Sequence, residues 1–247
     1  MEVRHSPPSW PKWQQRSASA FNSLLNAFFP RPCWLCSDSA NGLLCGHCEH
    51  SLPFNNGYRC GHCDLPLEVD TSLCSECMSK PPSYTKAVCA FQYGFPIDLL
   101  MRQLKKNRKH VVAEELAKHF VKHLRHQEAH MPDVICPLPI HWRRRLIRGF
   151  NQSELIAQSI SKQLSIPTNR ALRKTHATND QKSLSRTKRL RNLSNSFQIS
   201  GDVKDKFVVL IDDVITTGTS VESAARTLLK AGASRVDVWA IARTPKS

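Results

Sequence analysis

Nowhere in the 247 residues do 18 apolar residues run together, and the first thirty, "MEVRHSPPSWPKWQQRSASAFNSLLNAFFP", hold no apolar stretch leading into a small-residue cleavage site. The first absence excludes a membrane-crossing helix. The second removes any sign of an export signal, so the expected location is the cytoplasm. Two phosphate-binding patterns are also missing: without GxxxxGK there is no Walker loop, and without GxGxxG no dinucleotide turn. Acid is the scarce charge, with 20 Asp and Glu against 35 Lys and Arg, a formal +15. That imbalance favours polyanionic partners such as nucleic acid or phosphate esters.

The basic excess is clustered. Arg102, Lys105, Lys106, Arg108 and Lys109 form one group, Arg143, Arg144, Arg145 and Arg148 a second, and the stretch from Arg173 to Arg191 a third. One such cluster is an ordinary solvated face, whereas three together weaken that reading. Phe21, Leu24, Leu25, Phe28 and Phe29 follow helical spacing up to Pro30, a stripe expected to pack on its own protein.

Eight of the ten cysteines fall into four CxxC pairs: Cys33 and Cys36, Cys45 and Cys48, Cys60 and Cys63, Cys74 and Cys77. A two-residue gap lets one tight turn aim both sulfurs at a single ion, and two such turns complete the tetrahedral thiolate cage that zinc prefers. Eight thiolates match two structural zinc sites. Disulfides are disfavoured without an export signal, and a redox dithiol needs one reactive pair rather than four. An iron-sulfur cluster fits the regular knuckle spacing less well. Spacing alone leaves the pairing open, with sequential tetrads favoured by the loops of eight and ten residues within neighbouring pairs. So short a segment buries too little to fold without its metal. Cys89 and Cys136 lie alone in apolar runs and read as core residues.

From about residue 85 the texture alternates. "AVCAFQY", "DVICPLP", "KFVVLI" and "RVDVWAIA" read as strands; "IDLLMRQLKK", "VVAEELAKHFVKHL", "NQSELIAQSISKQL" and "SVESAARTLLKAGA" read as helices. Such alternation implies an α/β fold with a parallel sheet covered on both faces. His119, His123, His126 and His130 form a helical stripe with no evident carboxylate partner and are expected to face solvent. The organisation expected is a tail or helix over 1–30, a double zinc-knuckle module over 31–80 and an α/β domain over 85–247.

The most informative stretch is "VVLIDDVITTGTS", residues 208–220, where an apolar strand meets two aspartates and a threonine-rich turn into a helix. In parallel sheets, ligands bind at such βα turns, and the helix behind points its N-terminal amides at them. Thr216, Thr217, Gly218, Thr219 and Ser220 offer amides and hydroxyls to a phosphate. Asp212 and Asp213 would repel that phosphate unless the same ligand carries vicinal hydroxyls for them to accept from. A ribose 5-phosphate satisfies both demands.

These residues closely resemble the ribose-phosphate signature of type I phosphoribosyltransferases. Together with the four knuckles, "LKKNRK", "PLP", "RRRLIRGFNQSEL" and "THATNDQKSLSRTKRLRNLSNSF", they make nearly the whole chain similar to the ComF family of competence proteins, including its GntX-like DNA-utilisation branch. The resemblance implies a type I phosphoribosyltransferase-like sheet and a role in natural transformation, in taking up or using external DNA. It makes Asp212 and Asp213 acceptors of the ribose hydroxyls and 216–220 the 5′-phosphate cradle of phosphoribosyl pyrophosphate (PRPP), which would arrive with Mg²⁺. The loop after "CPLP" would meet the pyrophosphate, with Arg144 and Arg148 as guanidinium candidates. Residues 173–191 fall at the position of the mobile lid in type I enzymes, where their charge could close over pyrophosphate or track a DNA backbone.

Three functions follow. One is a DNA-uptake factor that binds PRPP and single-stranded DNA; the second is an active transferase releasing pyrophosphate to a nitrogen acceptor. The third is an adaptor for DNA-uptake machinery proteins. No base-reading segment is identifiable, and the charge excess with the zinc module favours the first.

Overall fold

The computed structural model describes residues 31–104, 109–127, 130–175 and 196–246, without the side chains of Lys109 and Arg144. The apolar stripe before Pro30, Lys105, Lys106, Arg108 and most of the basic stretch from 173 to 191 therefore lie outside the described residues. The chain divides into two compact units, Met1–Ser51 and Leu52–Ser247.

In the first unit β1 (Arg31–Pro32) pairs antiparallel with β2 (Ser39–Ala40), and α1 (Gly46–His50) follows. In the second come α2 (Ser75–Ser79), β3 (Ala87–Gln92), α3 (Ile97–Leu104), α4 (Lys109–Arg125), β4 (Val134–Pro137), α5 (Trp142–Arg148) and α6 (Gln152–Leu164). The chain then runs through β5 (Leu172–Lys174), β6 (Phe197–Ile199), β7 (Phe207–Ile215), α7 (Thr219–Lys230) and β8 (Arg235–Arg243).

Among the described residues the central sheet has four strands in the order β3-β8-β7-β4, every neighbouring pair parallel. Each strand has a continuous apolar run at its centre, Ala87–Phe91, Val134–Pro137, Val208–Ile211 and Val238–Ala242, as burial on both faces requires. Side chains alternate between the faces. Ala87, Cys89, Cys136, Val208, Leu210 and Val238 share one core cluster with Val221, Ala224 and Leu228 of α7. Elsewhere Trp239 packs on Phe120 of α4, ring centroids 5.7 Å apart. Cys89 and Cys136 are fully buried, and burial pushes the Cys136 thiol up to about 12, in keeping with core residues.

Three local expectations change. β7 runs on through both aspartates to Ile215 instead of ending before them. The segment after "CPLP" forms a short helix, α5, closed by Gly149 in the left-handed region (φ 73). The histidine stripe faces solvent only in its second half: His119 is buried against Phe54 and Phe91, with Nε2 3.1 Å from Glu115 Oε1, and His123 is half-buried, while His126 and His130 are exposed. Burial, helped by Arg59, His126 and Lys86, pushes His123 down to about 4. A short antiparallel hairpin of β5 and β6, unforeseen in the basic stretch, brackets residues 175–196. No helix among the described residues is long and apolar enough to cross a membrane.

Candidate functional site

The cysteine knuckles are two copies of one local design. In each, the residue after the second cysteine takes a left-handed conformation, Ser37 at φ 68 and Asp64 at φ 58. Its amide bonds back to the first cysteine's carbonyl, Ser37 to Cys33 at 2.9 Å and Asp64 to Cys60 at 3.0 Å. The third cysteine, Cys45 or Cys74, then sits at the N-cap of a five-residue helix that carries the fourth. The result is two sequential tetrads, Cys33/Cys36/Cys45/Cys48 and Cys60/Cys63/Cys74/Cys77, the sulfurs of each within 4.8 Å of one another. Four thiolates gathered so closely, with every position supplied by protein, fit a structural zinc ion in each.

The second tetrad belongs to the second unit. Its four cysteines lie in the same core cluster as Ala87, Cys89 and α7. Asp64, paired with Arg59, accepts from the Cys89 amide of β3 and so fastens the knuckle to the sheet.

At the C-terminal end of β7 stand Asp212 and Asp213, both half-buried. Asp212 Oδ1 accepts from the Ser153 hydroxyl at 3.2 Å and from the Asp213 amide at 2.8 Å; Asp213 Oδ1 accepts from the Val214 amide at 2.8 Å. Among the described residues no hydrogen bond occupies either Oδ2, which leaves one oxygen of each carboxylate for a ligand. Burial, and then the neighbouring Asp213, push the Asp212 carboxyl well above its usual range.

Five residues after Asp213 the chain turns through Gly218, whose φ of 76 is a left-handed value that glycine adopts without strain. Thr216, Thr217 and Thr219 are exposed, Gly218 and Ser220 half-buried, and Thr217 Oγ1 lies 2.9 Å from Thr219 Oγ1. Gly218 is the N-cap of α7, so the helix's unpaired amides and positive dipole end open onto this turn. Acid pair and phosphate-type cradle are therefore consecutive on one strand, turn and helix.

Sequence reasoning missed three participants. Asn151 caps α6 by accepting from the Ser153 amide at 3.2 Å, and its Nδ2 donates to the Leu138 carbonyl at 2.9 Å, joining the end of β4 to the helix that presents Ser153 to Asp212. The "GFNQS" run was the available signal, as a helix stop followed by a helix cap. The third is Arg243, at the end of β8, which donates to carbonyls of the Ile215–Thr216 turn and of Cys63. Of the two arginines expected to meet pyrophosphate, Arg148 is exposed at the end of α5, and the side chain of Arg144 lies outside the described residues. Their neighbour Arg145 pairs with Glu154 of α6 at 3.0 Å. Beside it a cavity of about 510 Å³ is lined by Trp142, Arg145, Arg170, Arg173 and Lys174.

Comparison with known proteins bears on both parts. Residues 151–247 match the phosphoribosyl transferase domain family and residues 24–78 the double zinc ribbon domain family. The chain is 34% identical to the DNA utilization protein YhgH of Escherichia coli O157:H7 over 223 residues, 87% of this chain and 98% of that one. It is 31% identical to competence protein F of Haemophilus influenzae over 208 residues, 81% of this chain and 84% of that one. Among solved structures, the glutamine PRPP amidotransferase of B. subtilis is 24% identical, with a TM-score of 0.39 over 53% of this chain and 26% of that one.

Proposed function

Since the chain belongs to the family of the DNA utilization and competence F proteins, with a phosphoribosyl transferase domain behind a double zinc ribbon, we propose that it binds PRPP–Mg at the β7–α7 turn and single-stranded nucleic acid on its basic surfaces. It does so in the cytoplasm, in the service of DNA uptake and use.

The observation that carries this reading is the pair of half-buried carboxylates, each with one oxygen uncommitted, immediately before the exposed threonines at the N-terminus of α7. A phosphate alone would be repelled by Asp212 and Asp213; a ribose 5-phosphate reaches the amides of 216–220 with its phosphate and the carboxylates with its hydroxyls. Mg²⁺ supplied with PRPP would offset pyrophosphate charge near the two acids. The basic residues after β4, Arg144 and Arg148 among them, face the task of holding pyrophosphate, for which guanidinium suits.

Nucleic acid is favoured by the formal +15 and by the cavity beside α5. Trp142 there is 57% exposed, with the Arg143 guanidinium 5.4 Å from its ring centroid. An exposed aromatic among arginines is the kind of platform on which single-stranded bases stack while cations follow the backbone.

A second reading, transfer of the ribosyl group to a nitrogen nucleophile with release of pyrophosphate, is favoured by the same acid pair, which could stabilise positive charge developing at the anomeric carbon. One experiment separates the two: pyrophosphate release from PRPP–Mg by the zinc-loaded protein across nucleobases, amines and single-stranded oligonucleotides, with PRPP and oligonucleotide binding measured in parallel. Binding of both without release, oligonucleotide affinity falling steeply with salt, is the expected result. Release that disappears when Asp212 and Asp213 become Asn would establish the transferase, and failure to bind PRPP would overturn the site.

A further inference from the structure

Arg243 ends β8 opposite Ile215 of β7 and is 4% exposed. Burying a guanidinium is costly unless its donors are used. Here Nε donates to the Cys63 carbonyl at 3.2 Å, and Nη1 to the Ile215 carbonyl at 2.9 Å and to the Thr216 carbonyl. These partners are all neutral, and no carboxylate among the described residues forms an ion pair with it. One side chain therefore holds a carbonyl of the second tetrad and two carbonyls of the βα turn.

The consequence follows from the planarity of the peptide group. The carbonyl of Thr216 and the amide of Thr217 share one rigid plane and point in opposite directions, as do the carbonyl of Ile215 and the amide of Thr216. Fixing both carbonyls on Arg243 turns the amides of Thr216 and Thr217 away from it. A cavity of about 460 Å³ lies between the second tetrad and the turn, bounded by Cys63, Cys77 and Tyr84 on one side and Thr217 and Thr219 on the other. Among the described residues, and beside the apolar core that the tetrad shares with α7, the polar ties across that gap include Arg243 and the pair of hydrogen bonds, 2.8 Å each, from the Ser83 amide and hydroxyl to Glu222 in the first turn of α7.

We propose that Arg243 is a positioning residue through which the second tetrad, and not the first, sets the conformation of the 215–218 turn and hence its affinity for phosphate. The affinity part rests on the reading of that turn as a ribose-phosphate cradle. A zinc ion held by four thiolates carries a net charge of about −2, which favours a neighbouring guanidinium. Losing that metal frees the Cys63 turn, removes one of the acceptors of Arg243 and loosens its grip on the two carbonyls.

The test uses the full-length zinc-loaded chain and its R243Q and R243K variants, with C77S and C36S to empty one tetrad at a time. Amide exchange over 215–218, zinc content, and binding of inorganic phosphate and of PRPP–Mg are measured on each. R243Q should keep two zinc ions, exchange faster over 215–218 and bind PRPP–Mg at least tenfold more weakly. R243K, whose ammonium cannot span three carbonyls, should recover only part of the loss. C77S and C36S should each lose one zinc ion, with exchange over 215–218 raised in C77S alone. Unchanged exchange in R243Q overturns the proposal, and does so whether or not C77S folds; equal effects of C77S and C36S overturn it as well. A wild-type chain that fails to bind PRPP would strike down the cradle reading, and the exchange data would still decide the coupling.

Discussion

Asp212→Asn should move stability and ligand affinity in opposite directions. Asn has the same size, and its side-chain carbonyl can still accept from the Ser153 hydroxyl and the Asp213 amide, the two bonds now made by Oδ1. What is lost is a carboxyl held well above its usual range by burial and by Asp213. At neutral pH the folded chain carries that strain and the unfolded chain does not, so its removal should stabilise by about 0.5–2 kcal/mol. In a domain of this size that raises Tm by roughly 1–8 °C. A hydrogen bond from a ribose hydroxyl to a charged acceptor contributes about 1.5–3 kcal/mol. Its loss should weaken PRPP–Mg binding about 10- to 150-fold. Thermal melts without ligand and equilibrium titrations with PRPP–Mg read the two effects separately. A lower Tm, or an unchanged affinity, would refute the assignment of Asp212 as a strained acceptor.

The same carboxyl sets the pH dependence. A raised folded value gives a stability contribution complete below the ordinary carboxylate value of 3.8 and lost as pH rises through the raised one. Ligand-free stability should therefore decline with pH across that window while PRPP–Mg affinity climbs and binding releases a proton, measurable by titration in buffers of different ionisation enthalpy; pH-independent affinity would contradict this. Metal analysis should find two zinc ions per chain, and one in either C33S or C60S. Only C60S should lower the melting temperature of the sheet unit, because Cys60 shares its core and Cys33 belongs to the other unit. Trp239→Ala, removing a ring 1% exposed that packs on Phe120, should cost about 3–5 kcal/mol in chemical denaturation. A cost below 1 kcal/mol would contradict that packing.

Much of this architecture is written in local patterns. Each of the four sheet strands is built on a short apolar run, the knuckles are paired cysteines, and the βα turn is a contiguous peptide whose chemistry can be read residue by residue. What escaped depends on long-range contact. The stripe of His119 and His123 shows in the periodicity, but whether that face meets solvent depends on Phe54 and Phe91, distant in sequence. "WRRRLIR" has too many charges to show an apolar face, yet it is helical between His141 as N-cap and Gly149 as C-cap. The place of the second tetrad in the sheet's own core could not be read from CxxC spacing, which sets which sulfurs share an ion and not what the knuckle packs on. Arg243 directly follows the strand-like run "RVDVWAIA", and nothing in its sequence neighbours marks it. Only the approach of Cys63 and Ile215, 180 and 28 residues away, reveals what it holds.

The most direct test of the account is an equilibrium titration of the zinc-loaded full-length chain with PRPP in the presence of Mg²⁺, beside the variant in which both Asp212 and Asp213 are Asn. The account predicts one saturable PRPP site per chain, lost in the double variant, and competition by ribose 5-phosphate. Equal binding by the two proteins, or none by the wild type, would contradict it.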